Sequence, residues 1–390
     1  MSGSSGSIGP LLPADEQFNH QVVETFASVG QTDPSWAEKV CGMAAAVDGS
    51  WQIGFGFGKY TNRNVVDGYA GIARGSEQWV VRGSRSLSSD PNSVNIGPIQ
   101  YHIIEPLNLI RVVLERNDIQ PIAFDLTFRA AAGCVVEERE DRRDMFGFRR
   151  ATDQIRFHQT GLASGWLEVD GRRVEIDPDR WVATRDKSWG IRPSVGVPMS
   201  DMQPDHHEHI AQALAIWNPI LFAREDGSRY AFHHYYLKFA GTGFLHQAVQ
   251  GGFESDRGKT VAVVAMEPQL LFDPATKRLQ SGEFAFSLED GTERRMPFEK
   301  VGETGFYLGA GHYHGGDGQY HGSWRGEFFL DGDHVEDAAK PEVIARYGQF
   351  RDCLIRVVDA DGGAVGYGNC QTYIHGAWPE FGLQGDEPRF

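Results

Sequence analysis

The sequence predicts an all-β protein made of two consecutive barrel or sandwich domains with a few short helices. Its 390 residues are enough for two domains of ordinary size. Its 47 glycines and its aromatic fraction of 12% are typical of strands that are joined by tight turns. Short alternating runs recur: Phe124, Leu126 and Phe128 would share one face of a strand, with Asp125 and Thr127 on the other.

The first elements along the chain are expected to be helical. Residues 1–13 are expected to be a disordered leader, and the apolar residues four apart within 14–28 indicate a helix. Asp33-Pro34 supplies an N-cap and a first-turn proline, which predict a short helix through Val40. Strand patterns begin near Trp51.

The middle of the chain gives the predicted domain boundary. The charged stretch 137–150 indicates an exposed hairpin or loop, and 166–176 has the pattern of two strands around an Asp-Gly turn. The Pro- and Ser-rich stretch 192–204 indicates a connection. We therefore expect an N-terminal domain over 14–195 and a C-terminal one over 205–385.

The C-terminal domain has the strand number of a small barrel or sandwich. It opens on a short helical pattern that ends near Trp217, and a second helix is expected at 341–347. Its main strand candidates are 230–239, 260–266, 284–288, 324–330 and 354–359.

Composition excludes several classes of partner. The formal net charge of −16 opposes binding to nucleic acid and to anionic membranes. No apolar run approaches the roughly 18 residues of a membrane span, and the N-terminus lacks the features of a signal peptide. Four cysteines without a CxxC pair indicate free thiols in a reducing compartment. A cytoplasmic location without membrane insertion is expected.

Familiar nucleotide and catalytic motifs are absent. The alternating glycines of 54–58 are not followed by a helix pattern, so they indicate close packing, or a ligand on bare backbone, rather than a dinucleotide site. The sequence contains no P-loop, no G-x-S-x-G elbow and no H-E-x-x-H. The sequence therefore contains no nucleotide-binding fingerprint.

Two groups of histidines could suggest a metal. His206, His207 and His209 lie in a polar linker, where consecutive histidines are usually solvated. His312 and His314 would share one face of a strand, but no third ligand follows at a recognisable spacing. The sequence therefore predicts that no metal is required.

The segment 232–239 presents proton-transfer groups on a strand. Alternation puts His234 and Tyr236 on one face and His233 on the other. Because Leu237 and Phe239 continue the His233 face, that face is expected to pack or to be solvated, and His234 and Tyr236 are expected to point into a cavity. His246 could project nearby.

Three segments carry a family resemblance. They are Phe157-His-Gln-Thr-Gly-Leu-Ala-Ser-Gly-Trp166, Arg185-Asp-Lys-Ser-Trp-Gly190 and Ala215-Ile-Trp217. Together they resemble the two-domain lipocalin-like superfamily of carotenoid 1,2-hydratases, AttH-like proteins, kievitone hydratase and Diels–Alderase-type cyclases. The chain has Lys187-Ser188 where that superfamily often has a basic residue or histidine followed by an acidic residue.

The resemblance implies two calycin-type β-domains with an apolar cavity in or between them. It also implies hydration, cyclisation or isomerisation of hydrophobic substrates without an organic cofactor. Asp186 corresponds to the superfamily's aspartate at the domain junction. Its alternative role is structural, paired with Arg185 or capping backbone N–H groups.

The leading hypothesis is thus a cofactor-independent acid–base enzyme, of hydratase, dehydratase, isomerase or cyclase type, acting on a terpenoid, steroid or polyphenol. The candidate acids and bases are Asp186, His158, His234, Tyr236, His246, His312 and His314. The candidate cavity walls are Trp51, Phe55, Phe57, Trp189 and Trp324. A non-catalytic carrier of a hydrophobic small molecule and a structural protein are the alternatives, and the sequence is compatible with a homodimer.

Overall fold

The protein is all-β, as the sequence predicts, and every pairing between its strands is antiparallel. The computed structural model describes residues 11–21, 30–143, 148–197, 201, 210–255, 258–312, 319–347 and 351–385. Within these residues the strands form one large sheet and one closed barrel. No helix in this part of the chain has the length and apolar character needed to cross a membrane.

The first sheet has thirteen strands in the described part of the chain. They are β1 (Trp36–Ala46), β2 (Gln52–Tyr60), β3 (Val65–Arg74), β4 (Glu77–Arg85), β5 (Ile99–Glu105), β6 (Leu109–Leu114), β7 (Ile122–Ala130), β8 (Val135–Val136), β9 (Glu140–Arg143), β10 (Arg150–Val169), β11 (Arg172–Ile176), β12 (Trp181–Ile191) and β19 (Phe328–Val335). Their order is β19-β4-β3-β2-β1-β12-β10-β7-β6-β5, and β8, β9 and β11 also pair with β10.

The barrel has eight strands, closed in the order β13-β14-β15-β16-β17-β18-β20-β21. They are β13 (Ile210–Arg224), β14 (Arg229–Gly241), β15 (Phe244–Ser255), β16 (Gly258–Phe272), β17 (Leu279–Leu288), β18 (Glu293–Tyr307), β20 (Arg351–Asp359) and β21 (Ala364–His375). β19 lies between the barrel strands β18 and β20 in the sequence, but it pairs with β4 of the first sheet. The C-terminal half of the chain therefore contributes an edge strand to that sheet.

Two of the predicted helices are wrong. The segment expected to be helical from Asp33 to Val40 enters β1, and the pattern that ends near Trp217 lies in β13. Of the helix expected over 14–28, the described residues contain only a 3-10 turn, Pro13–Glu16, and residues 22–29 lie outside them. The helix expected at 341–347 is confirmed as α1 (Pro341–Tyr347).

The predicted turns and alternation are confirmed in the first sheet. Asp170 and Gly171 both have positive φ, 50° and 74°, which is the geometry that an Asp-Gly hairpin turn between β10 and β11 requires. Phe124, Leu126 and Phe128 are at most 1% exposed and belong to the main core of this sheet.

In the described part of the protein, the glycines of β2 let aromatic side chains pack directly against the strand backbone. A Cβ on Gly54 would lie 2.9 Å from the Phe306 ring, and one on Gly56 would lie 2.5 Å from the Tyr69 ring. Phe306 is the penultimate residue of the barrel strand β18, and Tyr69 belongs to β3. The bare backbone of β2 therefore lets a barrel residue pack on the face of the first sheet.

Candidate functional site

A cluster of ionisable side chains lies where the first sheet packs against the barrel. Strand β10 contacts β13 at this junction. His158 of β10, Glu137 just after β8, His233 of β14 and Glu254 of β15 meet here, and each is 5% exposed or less. We call these four residues the junction cluster.

His158 is held between two carboxylates. Its Nδ1 lies 3.0 Å from Oε1 of Glu137, and its Nε2 lies 2.6 Å from Oε1 of Glu254. Burial lowers the pKa of His158, but Glu254 and Glu137 outweigh burial and raise this pKa to about 9. The ring is therefore a buried imidazolium at neutral pH, with both N–H groups donated to carboxylates.

Glu137 is the anionic centre of the cluster. Its Oε1 accepts a hydrogen bond from Trp217 Nε1 at 2.9 Å as well as the one from His158, and its Oε2 accepts one from Arg156 Nε at 2.6 Å. Burial would raise the pKa of Glu137, but Arg156, His158 and His233 hold it well below its usual range. Glu137 is thus a permanent carboxylate that orients the rings around it.

His233 lies directly against His158. The two ring centroids are 3.6 Å apart, and His233 Nε2 is 3.5 Å from Oε1 of Glu137 without a hydrogen bond among the residues described. Burial and the neighbouring His158 cation lower the pKa of His233 well below 6.5, although Glu137 opposes this shift. His233 is therefore a neutral imidazole beside an imidazolium.

A small cavity opens on this cluster. Its lining residues are Val135, Val136, Glu137, His158, His233, Gln250, Gly251, Glu254 and Lys259. The space that the centre of a water molecule can occupy inside it is about 10 Å³. This is room for roughly one water molecule. The cavity can therefore hold a water molecule beside the cluster, and a bulky molecule could contact the cluster only at the mouth.

Asp186 lies next to this cluster on the same face of the sheet. It is the cross-strand partner of His158 in the β10–β12 pairing and of Cys41 in the β1–β12 pairing. Burial raises the pKa of Asp186 to about 6, with Arg156 opposing the shift and Glu137 adding to it. Arg185 points to the other face, so it is not paired with Asp186 but with Glu16 and Gln159.

The donor set of the junction cluster does not suit a metal ion. Ligand atoms of Glu137, His158 and His233 lie within 4.8 Å of one another, the one such grouping among the described residues. However, both Glu137 oxygens already accept hydrogen bonds, one of them from the Arg156 cation. A divalent cation would have to displace these donors and lie beside that guanidinium. The same atoms suit proton transfer without rearrangement.

The other predicted acids and bases lie elsewhere. His234 and Tyr236 point into the barrel, on the face that alternation assigns, away from the junction cluster. His246 is exposed on β15. His312 is buried at the end of the 3-10 turn Leu308–Gly311. His314, like His206, His207 and His209, lies outside the described residues.

The residues that were predicted to form cavity walls are also dispersed. None of them is among the described residues that line the junction cavity. Phe55 and Phe57 are in the core of the first sheet, and Trp51 packs against that core. Trp189 stacks on His20, with ring centroids 3.9 Å apart. Trp324 is 50% exposed. The structure thus brings His158 and Asp186 together and separates them from the other candidates.

Sequence reasoning missed Glu137, His233 and Glu254. Glu137 stands at the start of a charged run that the sequence indicates to be exposed, yet it is 5% exposed. His233 was expected on a packed or solvated face, and it is packed, against His158 of the first sheet. The sequence does contain one signal for this cluster. Both faces of β14 carry a histidine, and acidic residues occur in neighbouring segments, so either histidine could have met a carboxylate.

Comparison with known proteins gives a family and a set of distant structures. A family model with the description "Family of unknown function (DUF8625)" matches residues 11–382. No curated protein matches the chain.

Three solved structures are similar in fold. A protein described as AttH from Nitrosomonas europaea has 11% identity and a TM-score of 0.49, with 87% of this chain and 92% of that chain covered. Kievitone hydratase from Nectria haematococca has 9% identity and a TM-score of 0.40, with 92% and 95% covered. CghA with Sch210972 has 13% identity and a TM-score of 0.49, with 87% and 88% covered. Similarities of this size carry no conclusion about the superfamily, the reaction or the substrate of this chain.

Proposed function

Since the chain belongs to the family of unknown function DUF8625, we propose a function from the junction cluster: a cofactor-independent acid–base enzyme that adds or removes water, or moves a double bond, on a hydrophobic small molecule. The observation that carries this proposal is the stacked pair of His158 and His233. One ring is held protonated by two carboxylates, and the other is held neutral by burial and its neighbour. Neighbouring groups with such divergent proton affinities are typical of acid–base sites.

The chemistry requires one group that gives a proton and one that takes it. His233 is the proposed acceptor, because its Nε2 has no hydrogen bond among the described residues and Glu137 lies 3.5 Å away to stabilise the imidazolium that forms. Glu254 is proposed to relay a proton to the substrate. The Nε2 proton of His158 passes to Glu254 Oε1 across their 2.6 Å hydrogen bond, and the protonated carboxyl gives it to the substrate, which leaves His158 neutral. His233 takes the proton that the attacking water releases, and transfer of this proton to His158 restores the cluster.

The junction cavity has room for roughly one water molecule. The substrate is therefore proposed to place its reacting group, an alkene or a hydroxyl, at the mouth of this cavity, with the apolar remainder outside. Burial of the cluster strengthens each electrostatic contact and limits access of bulk water to a cationic intermediate. Asp186, next to His158, would exchange protons with the cluster as it resets.

Incubation of the purified protein with a metabolite extract in D₂O tests this proposal. We expect one hydrophobic metabolite to gain or lose one molecule of deuterated water, or to take up deuterium at carbon, as measured by mass spectrometry. Glu254→Gln should abolish the change, and the exposed control His246→Gln should retain it. Retention of a ligand by the wild type without any chemical change would contradict the enzyme and favour the carrier.

A further inference from the structure

The barrel interior contains a second polar feature, separate from the junction cluster. His234 of β14 and Asn218 of β13 are direct cross-strand partners. Both are fully buried, and both lie on the inward face of the barrel. Cross-strand partners on one face have Cβ atoms roughly 4.5–5.5 Å apart, so the two side chains are neighbours.

Three polar atoms of this pair have no hydrogen-bond partner among the described residues: Nδ1 and Nε2 of His234 and Oδ1 of Asn218. The Asn218 amide is oriented by its own donor, because Nδ2 donates to the Asn369 carbonyl at 2.9 Å. A buried polar group without a hydrogen-bond partner destabilises the folded protein. A barrel that keeps three such groups together has the donors and acceptors of a binding site.

The surroundings are aromatic. The ring of Phe284 meets the His234 ring edge-on with centroids 4.4 Å apart, and it stacks on Phe298 at 4.2 Å. The ring centroid of Phe232 lies 5.8 Å from that of His234. Burial lowers the pKa of His234 to about 3, so the imidazole is neutral and presents one donor and one acceptor.

Side chains cover both ends of the barrel. Trp378 is 1% exposed, and its backbone exchanges hydrogen bonds with Leu383 at one end. At the other end, the Tyr230 hydroxyl donates to Asp359 at 2.6 Å. An eight-stranded barrel is just wide enough to be filled by side chains or to hold one small ligand. The occupant must therefore be small.

We propose that His234 and Asn218 form a second binding site, which takes a small aromatic molecule that carries one hydroxyl group. The hydroxyl would donate to Asn218 Oδ1 and accept from the His234 N–H, and the ring would pack among Phe232, Phe284 and Phe298. This site is independent of the proposed acid–base function, because His233 and His234 point to opposite faces of β14.

Binding of phenol and toluene tests the site, since the two probes differ mainly by the hydroxyl. We expect the wild-type protein to bind phenol at least about tenfold more tightly than toluene, as measured by titration calorimetry, with a shift of the His234 ring signals in NMR spectra. In His234→Leu the preference should fall below about twofold, because the hydroxyl then loses a partner and meets an apolar wall.

The folded state of the variant is itself measurable. His234→Leu removes an unpaired polar group from an apolar interior, so its Tm should equal or exceed that of the wild type. His246→Gln, on the outer surface, should keep the phenol preference. The proposal is overturned if the wild type binds neither phenol nor toluene, which is the result expected of a site that holds only water. It is also overturned if His234→Leu keeps the preference for phenol. Turnover at the junction cluster is unaffected by either result.

Discussion

Replacing His233 by glutamine is expected to slow turnover by roughly 10²–10⁴-fold with little change in KM, because the variant loses the proposed proton acceptor but keeps the cavity. The measurement is kcat and KM on the metabolite that the D₂O experiment identifies, together with a thermal melt to show that the variant is folded. His158→Gln is a poorer test, since it leaves Glu137 and Glu254 as buried carboxylates without the cation between them.

The neighbouring histidine is the matched control. His234→Gln should leave kcat within about twofold of the wild type, because its side chain points into the barrel and contacts no residue of the junction cluster among those described. The sequence alone favoured His234 as the proton-transfer group. Loss of turnover in His234→Gln, with His233→Gln fully active, would move the chemistry into the barrel and remove the junction cluster from the mechanism.

Replacing Glu16 by glutamine is expected to lower the free energy of unfolding by about 3–5 kcal/mol, because it leaves a fully buried guanidinium without its anion. Arg185 Nη1 and Nη2 lie 2.6 and 2.9 Å from the two Glu16 oxygens, and neither side chain is exposed. Burial would raise the pKa of Glu16, but Arg185 holds it below its usual value. Chemical denaturation of variant and wild type measures the effect.

An exposed ion pair provides the control for Glu16. Arg173 Nε lies 2.8 Å from Oε1 of Glu175 on the hairpin β10–β11, where both side chains are more than half exposed. Glu175→Gln should change the free energy of unfolding by less than about 1 kcal/mol. If Glu16→Gln also changed the free energy of unfolding by less than about 1 kcal/mol, the segment around Pro13–Glu16 would not be anchored to the first sheet through Arg185.

The fold was predictable wherever strands have one buried face and one polar face. Phe124–Phe128 shows this alternation, and it is a strand in β7. β1 and β13 are buried on both faces over much of their length, so their apolar residues do not alternate and do not indicate strands. At the start of β1 the Asp33-Pro34 pair predicts a helix, because an N-cap signal acts locally, and tertiary pairing overrides it.

The site was only partly predictable, because it is built from contacts distant in sequence. His158 meets Glu137 at a separation of 21 residues and Glu254 at 96. Strand alternation indicates which residues share a face, but not which sheet covers that face. The resemblance placed Asp186 at the domain junction, beside His158. The packing of β10 against the barrel decides that His233, rather than His234, completes the cluster.

NMR titration of the imidazole signals measures whether His158 is the protonated ring of the junction cluster and His233 the neutral one. The His158 pKa is raised to about 9, so this ring should remain protonated from acid pH through neutrality and lose its proton only near pH 9. The His233 pKa is lowered well below 6.5, so this ring should stay neutral at pH 6 and above. The facing charged groups are Glu137, Glu254, Arg156 and Asp186. If both histidines titrated near pH 6.5, no acid–base pair would exist at the junction, and the proposed mechanism would be wrong.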